Sequence, residues 1–365
     1  MRFVLPGTPQ PLAIVAATDP AHVQAAVRCG RRHGVRVRVR SGGHDYEGLS
    51  YASLDRRERF AVLDLAGLRD IRVDAERAEA WAGSGATLGE LYYAVGAASR
   101  TLAFPAGLCS TVGVGGHLSG GGFGTLMRRY GLAADNVLDA VLVDADGRLL
   151  NRTTMGEDLF WAIKGGGGES FGVVLSWKRA RFPDLGVTPP DCEEISWIQS
   201  TVYFAFYSSS KPLELLLDRG SKPDRYFKGK SDYVQDPIPV HVWERTWSWL
   251  ERPEAGLYYS FWFDDGTAEM EKRLSWIKGL YKEMEPYVSK NPRTGYVNYR
   301  DLDLGTNELE GNVTSYRKAR AWGEKYFKGN FQRLSAVKSR VDPDDFFRNE
   351  QSIPPLPAAK GWSSM

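Results

Sequence analysis

Two side chains able to bond covalently to an electron-poor ring stand in stretches built otherwise from glycine and small residues. His44 follows Arg40, Ser41, Gly42 and Gly43 and precedes Asp45; Cys109 lies in F-P-A-G-L-C-S-T-V-G-V-G-G-H-L-S-G-G-G-F-G, from Phe104 to Gly124. Imidazole nitrogen and thiolate are the nucleophiles suited to such additions. Taken singly, each has a plainer reading: a loop histidine satisfied by a neighbour, or an inert buried thiol. Their settings point further. Glycine lets main chain approach a ligand with no Cβ in the way, and successive N–H groups form anion-cradling nests. Bare amides also stabilise a thiolate. A third run, G-G-G-G-E-S-F-G from Gly165 to Gly172, repeats the pattern. The expected ligand of these three motifs is a flat, polar cofactor.

Other nucleotide and metal chemistries fit poorly. No G-x-G-x-x-G follows a strand and no G-x-x-x-x-G-K-[ST] occurs, which argues against NAD and P-loop chemistry. The five histidines, at 22, 33, 44, 117 and 241, have no zinc-type spacing, so no metal is expected.

The elements that must position these groups can be read locally. Asp19-Pro20 opens a helix that Gly34 closes. Val35, Val37 and Val39 alternate with Arg36, Arg38 and Arg40, predicting a half-buried strand that delivers His44 at its end. Residues 60 to 65 and 71 to 82 read as short strands, and Thr87 with Glu90 as a capping box for a helix to about Ser99. Strands at Val137 to Val143 and Arg148 to Arg152 flank the hairpin signal Asp146-Gly147. A helix from Gly156 to Lys164 and a strand from Val173 to Trp177 follow. Helices and strands alternate irregularly with hairpins among them, so the expected class is α+β rather than a doubly wound parallel sheet.

The chain has 365 residues and a net charge of +2, which gives no electrostatic case for nucleic acid or a membrane surface as partner. No long apolar run and no signal-like h-region occurs. Cys29, Cys109 and Cys192 cannot make a dense disulfide framework. Asn151-Arg152-Thr153 and Asn312-Val313-Thr314 are glycan acceptor triplets that matter only in a secreted protein.

In its motifs the sequence resembles the berberine bridge enzyme-like family of FAD-linked oxidases, of the vanillyl alcohol oxidase-type (PCMH-type) fold. The residues carrying the resemblance are R-S-G-G-H-D-Y-E-G-L-S-Y at 40–51, the F-P-A-G-L-C segment, the third glycine run, Y-V-N-Y-R-D at 296–301 and D-P-D-D-F-F-R-N-E-Q-S-I at 342–353. The resemblance implies FAD held bicovalently, His44 to the 8α-methyl carbon and Cys109 to C6 of the isoalloxazine. It implies further cofactor contacts from Arg40, Ser41, Gly42, Gly43, Asp45, Val112, Gly113, Gly116, His117, Gly120, Gly172, Val174, Asn330 and Gln351, with Phe346 packing nearby. His117 would sit near the ribityl chain, and Val112 at a position where a small side chain admits dioxygen. Tyr299 matches the active-site tyrosine and Tyr46 a second substrate-side tyrosine, while Phe123 stands where many relatives carry tyrosine.

The resemblance also implies an FAD-binding domain at 6–181, a shortened substrate domain at 182–291 with an antiparallel sheet and helices, and a segment at 292–358 returning to the first. A block of the substrate domain is missing relative to the family, and near Glu254 to Tyr258, Gly256 and Tyr258 replace a Lys-x-Gln pair whose lysine lowers the tyrosine's pKa. A secreted monomer is implied, whose signal peptide and N-terminal partner for Cys29 are not in the sequence. The expected reaction is oxidation of a sugar or aromatic alcohol with dioxygen as acceptor. A dehydrogenase using another acceptor and a catalytically inactive flavoprotein are the alternatives.

Overall fold

A computed structural model describes residues 7–180, 196–205, 211–220, 226–252, 260–263 and 267–357. In chain order the elements are β1 (Ile14–Ala16), α1 (Pro20–His33), β2 (Arg36–Arg40), β3 (Phe60–Asp64), β4 (Ile71–Asp74), β5 (Glu79–Gly83), α2 (Leu88–Ala98), α3 (Val114–Ser119), α4 (Met127–Tyr130), β6 (Val137–Val143), β7 (Leu149–Leu150), α5 (Arg152–Ile163) and β8 (Val173–Ala180). There follow α6 (Trp197–Phe204), β9 (Tyr226–Gly229), α7 (Val240–Leu250), β10 (Ser260–Phe263), α8 (Thr267–Glu283), β11 (Leu309–Glu310), β12 (Val313–Thr314), α9 (Tyr316–Phe327) and α10 (Asn330–Val341).

Two sheets carry the N-terminal half, as an α+β reading requires. One is parallel with order β1-β3-β2; the other is antiparallel with order β4-β5-β8-β6-β7. Local signals account for the edges of these elements. The Asp19 carboxylate accepts from the Ala21 amide at 2.8 Å, and Gly34 ends α1 in the left-handed region at φ 62°. Thr87 and Glu90 form the expected reciprocal cap on α2. The stretch 71–82 is a hairpin of two strands, and α5 begins at Arg152, four residues before the expected start, with Gly156 at φ 75° interrupting its helical geometry.

The arginine face of β2 differs from its alternating pattern. Arg36 donates to the carbonyls of Asp345 and Phe346 at 2.9 Å each, and Arg38, only 4% exposed, pairs with Glu58 and, at 3.0 Å, with Glu350. The C-terminal segment therefore covers the face that alternation assigns to water. Its anchor is Lys338, whose ammonium is fully buried and donates to the Ser170 carbonyl at 2.7 Å, Asp342 at 2.6 Å and the Phe347 carbonyl at 2.6 Å. A buried charge is tolerated only when paired and hydrogen-bonded like this.

The main core joins α2, α3, α5 and the antiparallel sheet to α6, Leu216, α9 and α10, through Leu91, Val95, Leu118, Phe160, Ile198, Val202, Trp322 and Phe331 among others. Ile198, Val202, Ala205 and Leu216 thus pack on the same core as α2. Helices α7 and α8 build a smaller core of their own around Val242, Trp276, Ile277 and Leu280. No described helix is long and apolar enough to cross a membrane. Glu254, Gly256, Tyr258 and Cys192 lie outside the described residues.

Candidate active site

The loop after β2 and the loop before α3 meet with no room for side chains between them. A Cβ on Gly42 would fall on the Gly113 amide, and one on Gly113 on the Gly42 amide and the Ser41 hydroxyl. The Ser41 hydroxyl in turn donates to the Ser84 carbonyl beyond β5. This close approach sets His44 beside the central motif, where its Nε2 lies 3.0 Å from the Thr111 hydroxyl.

Around this junction lies a cavity of about 1050 Å³, at the top of the roughly 300–1,000 Å³ typical of small-molecule sites. Ser41, Gly42, Gly43, His44, Asp45, Tyr46, Cys109, Val112, Gly113, Gly116, His117, Gly120, Gly172, Val174 and Tyr299 all line it. Cys109 is exposed on the wall, unlike the inert buried thiol of the plainer reading. Arg40, Asn330 and Gln351 are not on the wall. Arg40 pairs with Asp64 alongside β3, and Asn330 is exposed at the start of α10. Gln351 is buried, donating to the carbonyls of Asp301 and Gly305 at 2.9 and 2.7 Å, so it braces the loop after Tyr299.

Sequence reasoning passed over Arg300, which lies on the wall yet is only 7% exposed. It donates to Asp45 at 3.1 Å, to Glu169 at 2.9 Å and to the Gln351 carbonyl at 3.1 Å, tying together the first motif, the third and the C-terminal segment. Its position next to Tyr299 and the carboxylates in two glycine motifs were the available signal.

The wall carries an aromatic group. Tyr46 and Tyr299 stack with centroids 4.9 Å apart and planes 11° from parallel; Phe123 meets Tyr299 edge-on at 5.8 Å and Tyr296 at 5.1 Å. Burial pushes the Tyr299 phenol up, a hydrogen bond with Tyr46 pulls it down, and the neighbouring Cys109 pushes it up again. Burial likewise pushes Tyr296 up to about 12, against hydrogen bonds from Asn298 and the Gly122 amide. His117 is held down to about 3 by burial and by Arg179, so it is neutral, and its Nε2 accepts from the Gly107 amide at 3.1 Å.

The wall suits a large ligand with polar atoms. A Cβ on Gly116 would meet no protein atom, which leaves one face of α3 bare to the cavity. The buried hydroxyl oxygens of Ser50 and Ser84, also on the wall, have no hydrogen-bond partner among the described residues; leaving such groups unmet costs about 1–3 kcal/mol each. Among the described residues no cluster of three His, Cys, Asp or Glu could hold a metal.

A strand-delivered glycine cradle over a cavity of this size suits a dinucleotide cofactor, and the comparisons define the class as a PCMH-type FAD-binding oxidoreductase. Residues 11–153 match a family model described as an FAD binding domain, and residues 295–354 one described as berberine and berberine like. The chain is 43% identical to berberine bridge enzyme-like Cyn d 4 of Cynodon dactylon, over 98% of this chain and 87% of that protein. It is 40% identical to tetrahydroberberine oxidase of Berberis wilsoniae, over 97% and 87%. Among solved structures it matches Phl p 4, a grass pollen allergen with glucose dehydrogenase activity, at 41% identity and TM-score 0.90, covering 96% of this chain and 92% of that one. A valine-for-isoleucine variant of Phl p 4 is described as a glucose oxidase.

This chain belongs to the berberine bridge enzyme-like family and is an FAD-dependent oxidoreductase. The alignment to Cyn d 4 runs over 456 positions against a chain of 365 residues, so the relative carries residues within that span that this chain lacks.

Proposed function

We propose that this protein is an oxidase of alcohol or sugar hydroxyls that holds FAD through two covalent bonds, from His44 to the 8α carbon and from Cys109 to C6, and that passes electrons to dioxygen to give hydrogen peroxide. The observation that carries the reading is the meeting of His44, Cys109 and the Tyr46–Tyr299 stack on the wall of one cavity. Bound FAD supplies a two-electron hydride acceptor.

The remaining chemistry falls to the chain's own residues. Oxidising CH–OH to a carbonyl releases one hydride from carbon and one proton from oxygen, and Tyr299 is placed to take the proton. Its phenol must first ionise, which burial opposes and the Tyr46 hydrogen bond favours. Bonding Cys109 to carbon would remove the negative charge that pushes the Tyr299 phenol up, so cofactor attachment itself would make the phenolate easier to form. Tyr46, Phe123 and Tyr299 offer ring faces that suit the apolar side of a sugar or an aromatic alcohol. Val112 on the wall supports dioxygen access by resemblance. Phe346, packed beneath β2, Arg40 and Gln351 support the cradle from behind it. The same reading makes residues 6–181, 182–291 and 292–358 the cofactor, substrate and covering segments, and the protein a secreted monomer with glycans at the exposed Asn151 and Asn312.

The glucose dehydrogenase activity described for Phl p 4 favours a second reading, in which an acceptor other than dioxygen is used. Peroxide release across a panel of sugars and aromatic alcohols tests the first, and stopped-flow mixing of the reduced protein with air separates the two. Slow reoxidation would end the oxidase reading; silence across the panel would support an inactive flavoprotein.

A further inference from the structure

The stacked tyrosines come from loops 255 positions apart at the flanking Asp45–Arg300 pair, and no backbone element joins them. Charges on each side of the stack do. On one side Asp45, preceding Tyr46, accepts from Arg300, following Tyr299, at 3.1 Å. On the other side Glu47, following Tyr46, and Asp301, two positions beyond Tyr299, pair with the same ammonium. Those two are both carboxylates and repel each other. The Lys228 ammonium, from β9, sits between them, pairing with Glu47 and with Asp301 at 2.8 Å. Lys230 does not substitute for it: its ammonium reaches Asp301 at 2.7 Å and Asp303 at 2.8 Å. Glu47 also accepts from the Leu302 amide at 3.1 Å, so the bridge fixes main chain as well as side chains. All three partners are largely withdrawn from water, with side chains 12%, 15% and 3% exposed for Lys228, Glu47 and Asp301, where charge pairing is strong and screening weak.

We infer that Lys228 is a positioning residue for the reaction: by converting the Glu47–Asp301 repulsion into a bridge, it holds Tyr46 and Tyr299 in register and couples the β9 strand to the site. The inference rests on Tyr299 as the base. It assigns Lys228 no contact with substrate or cofactor.

The test compares Lys228→Met, Lys228→Arg, Glu47→Gln and the double variant Lys228→Met with Glu47→Gln, all as holoprotein, with Tyr299→Phe as reference. The readouts are flavin per polypeptide, kcat and KM with the best donor from the panel, and an ultraviolet difference titration of the Tyr299 phenol against the Tyr299→Phe protein. A misplaced base costs on the order of 100-fold, so Lys228→Met should lower kcat by about that much with flavin content unchanged and KM little moved, while Lys228→Arg stays within about tenfold of wild type. Glu47→Gln should raise kcat in the Lys228→Met background and lower it in the wild-type one, since only in the former does it relieve repulsion. The Tyr299 titration should move with Lys228→Met and return in the double variant. If Lys228→Met fails to fold, Glu47→Gln should lower kcat in the wild-type and Lys228→Arg backgrounds alike and shift the Tyr299 titration on its own; an unchanged kcat and an unmoved titration in Glu47→Gln would overturn the inference. Wild-type kcat and an unmoved phenol titration in Lys228→Met, with Tyr299→Phe inactive, would overturn the inference and leave the base assignment standing. An active Tyr299→Phe would overturn the base assignment itself.

Discussion

Gly42 and Gly113 touch main chain to main chain, so that a methyl group on either would occupy the amide of the other. Through this contact His44 and Cys109, the two side chains proposed to bond the cofactor, come from separate loops to one wall. Overpacking of this kind typically costs about 1–3 kcal/mol, so Gly42→Ala or Gly113→Ala should lower stability by that amount in urea titration and reduce flavin content. Gly116→Ala is the contrast, because its new methyl enters the cavity and meets no protein atom. The stability of the flavin-free protein should hold in Gly116→Ala while flavin incorporation falls. Undiminished flavin incorporation in Gly116→Ala would mean that the cofactor does not lie against this face of the cavity.

His117 makes stability depend on acidity in a known direction. Its folded value of about 3 lies far below the ordinary 6.5, because it is buried and near Arg179. Unfolded chains therefore bind a proton below pH 6.5 that the native protein refuses. The stabilisation is complete above pH 6.5 and is lost as pH falls towards 3, at a limiting rate of about 1.4 kcal/mol per pH unit. Urea midpoints measured from pH 7 to pH 5 should decline for the wild type and decline less for His117→Gln. Parallel curves would show the imidazole to be freely protonated.

The Tyr299 phenol, raised above its ordinary 10 by burial, predicts alkaline-limited turnover. On the proposal that Tyr299 is the base, the working form is the phenolate, and kcat should climb with pH through the neutral and mildly alkaline range. Tyr299→Phe should lower kcat by about 10²–10⁴-fold, the usual worth of general-base catalysis. Tyr46→Phe removes the hydrogen bond that favours ionisation, so its rising limb should move to higher pH. A flat profile in the wild type would assign the proton to some other group.

Arg179 is fully buried on β8, with its guanidinium 3.9 Å over the Phe104 ring and its three side-chain nitrogens without hydrogen-bond partners among the described residues. Burial lowers its pKa to about 9. A buried charge without hydrogen-bond partners is costly to keep from water, so Arg179→Met should raise the urea midpoint. It should also ease the protonation of His117, whose pKa Arg179 helps to depress. A destabilised Arg179→Met would show that the cation–π contact outweighs the lost hydration.

Signals confined to one element were readable from sequence: the Asp19 cap, the Thr87–Glu90 box and the glycine motifs that converge on the cavity. Charges that act across long separations were not. Arg36 and Arg38 read as a solvent face because the residues that cover them, Asp345, Phe346 and Glu350, lie some 300 positions away. Arg300 and Lys228 were not singled out from the sequence for the same reason, since only folding brings carboxylates from distant segments to them. Asn330 and Gln351 show the converse: polar residues in a motif touching the cofactor region need not face it, and Gln351 spends its amide on two carbonyls.

The central claim is that His44 and Cys109 hold one flavin by two bonds. The direct measurement is to precipitate the folded protein with acid, wash the pellet and weigh the peptides containing the two residues. Wild type should give a yellow pellet and a single cross-linked flavopeptide, His44→Ala and Cys109→Ala should each keep colour on the remaining peptide, and the double variant should lose it. A colourless wild-type pellet with both peptides at their unmodified masses would contradict the account.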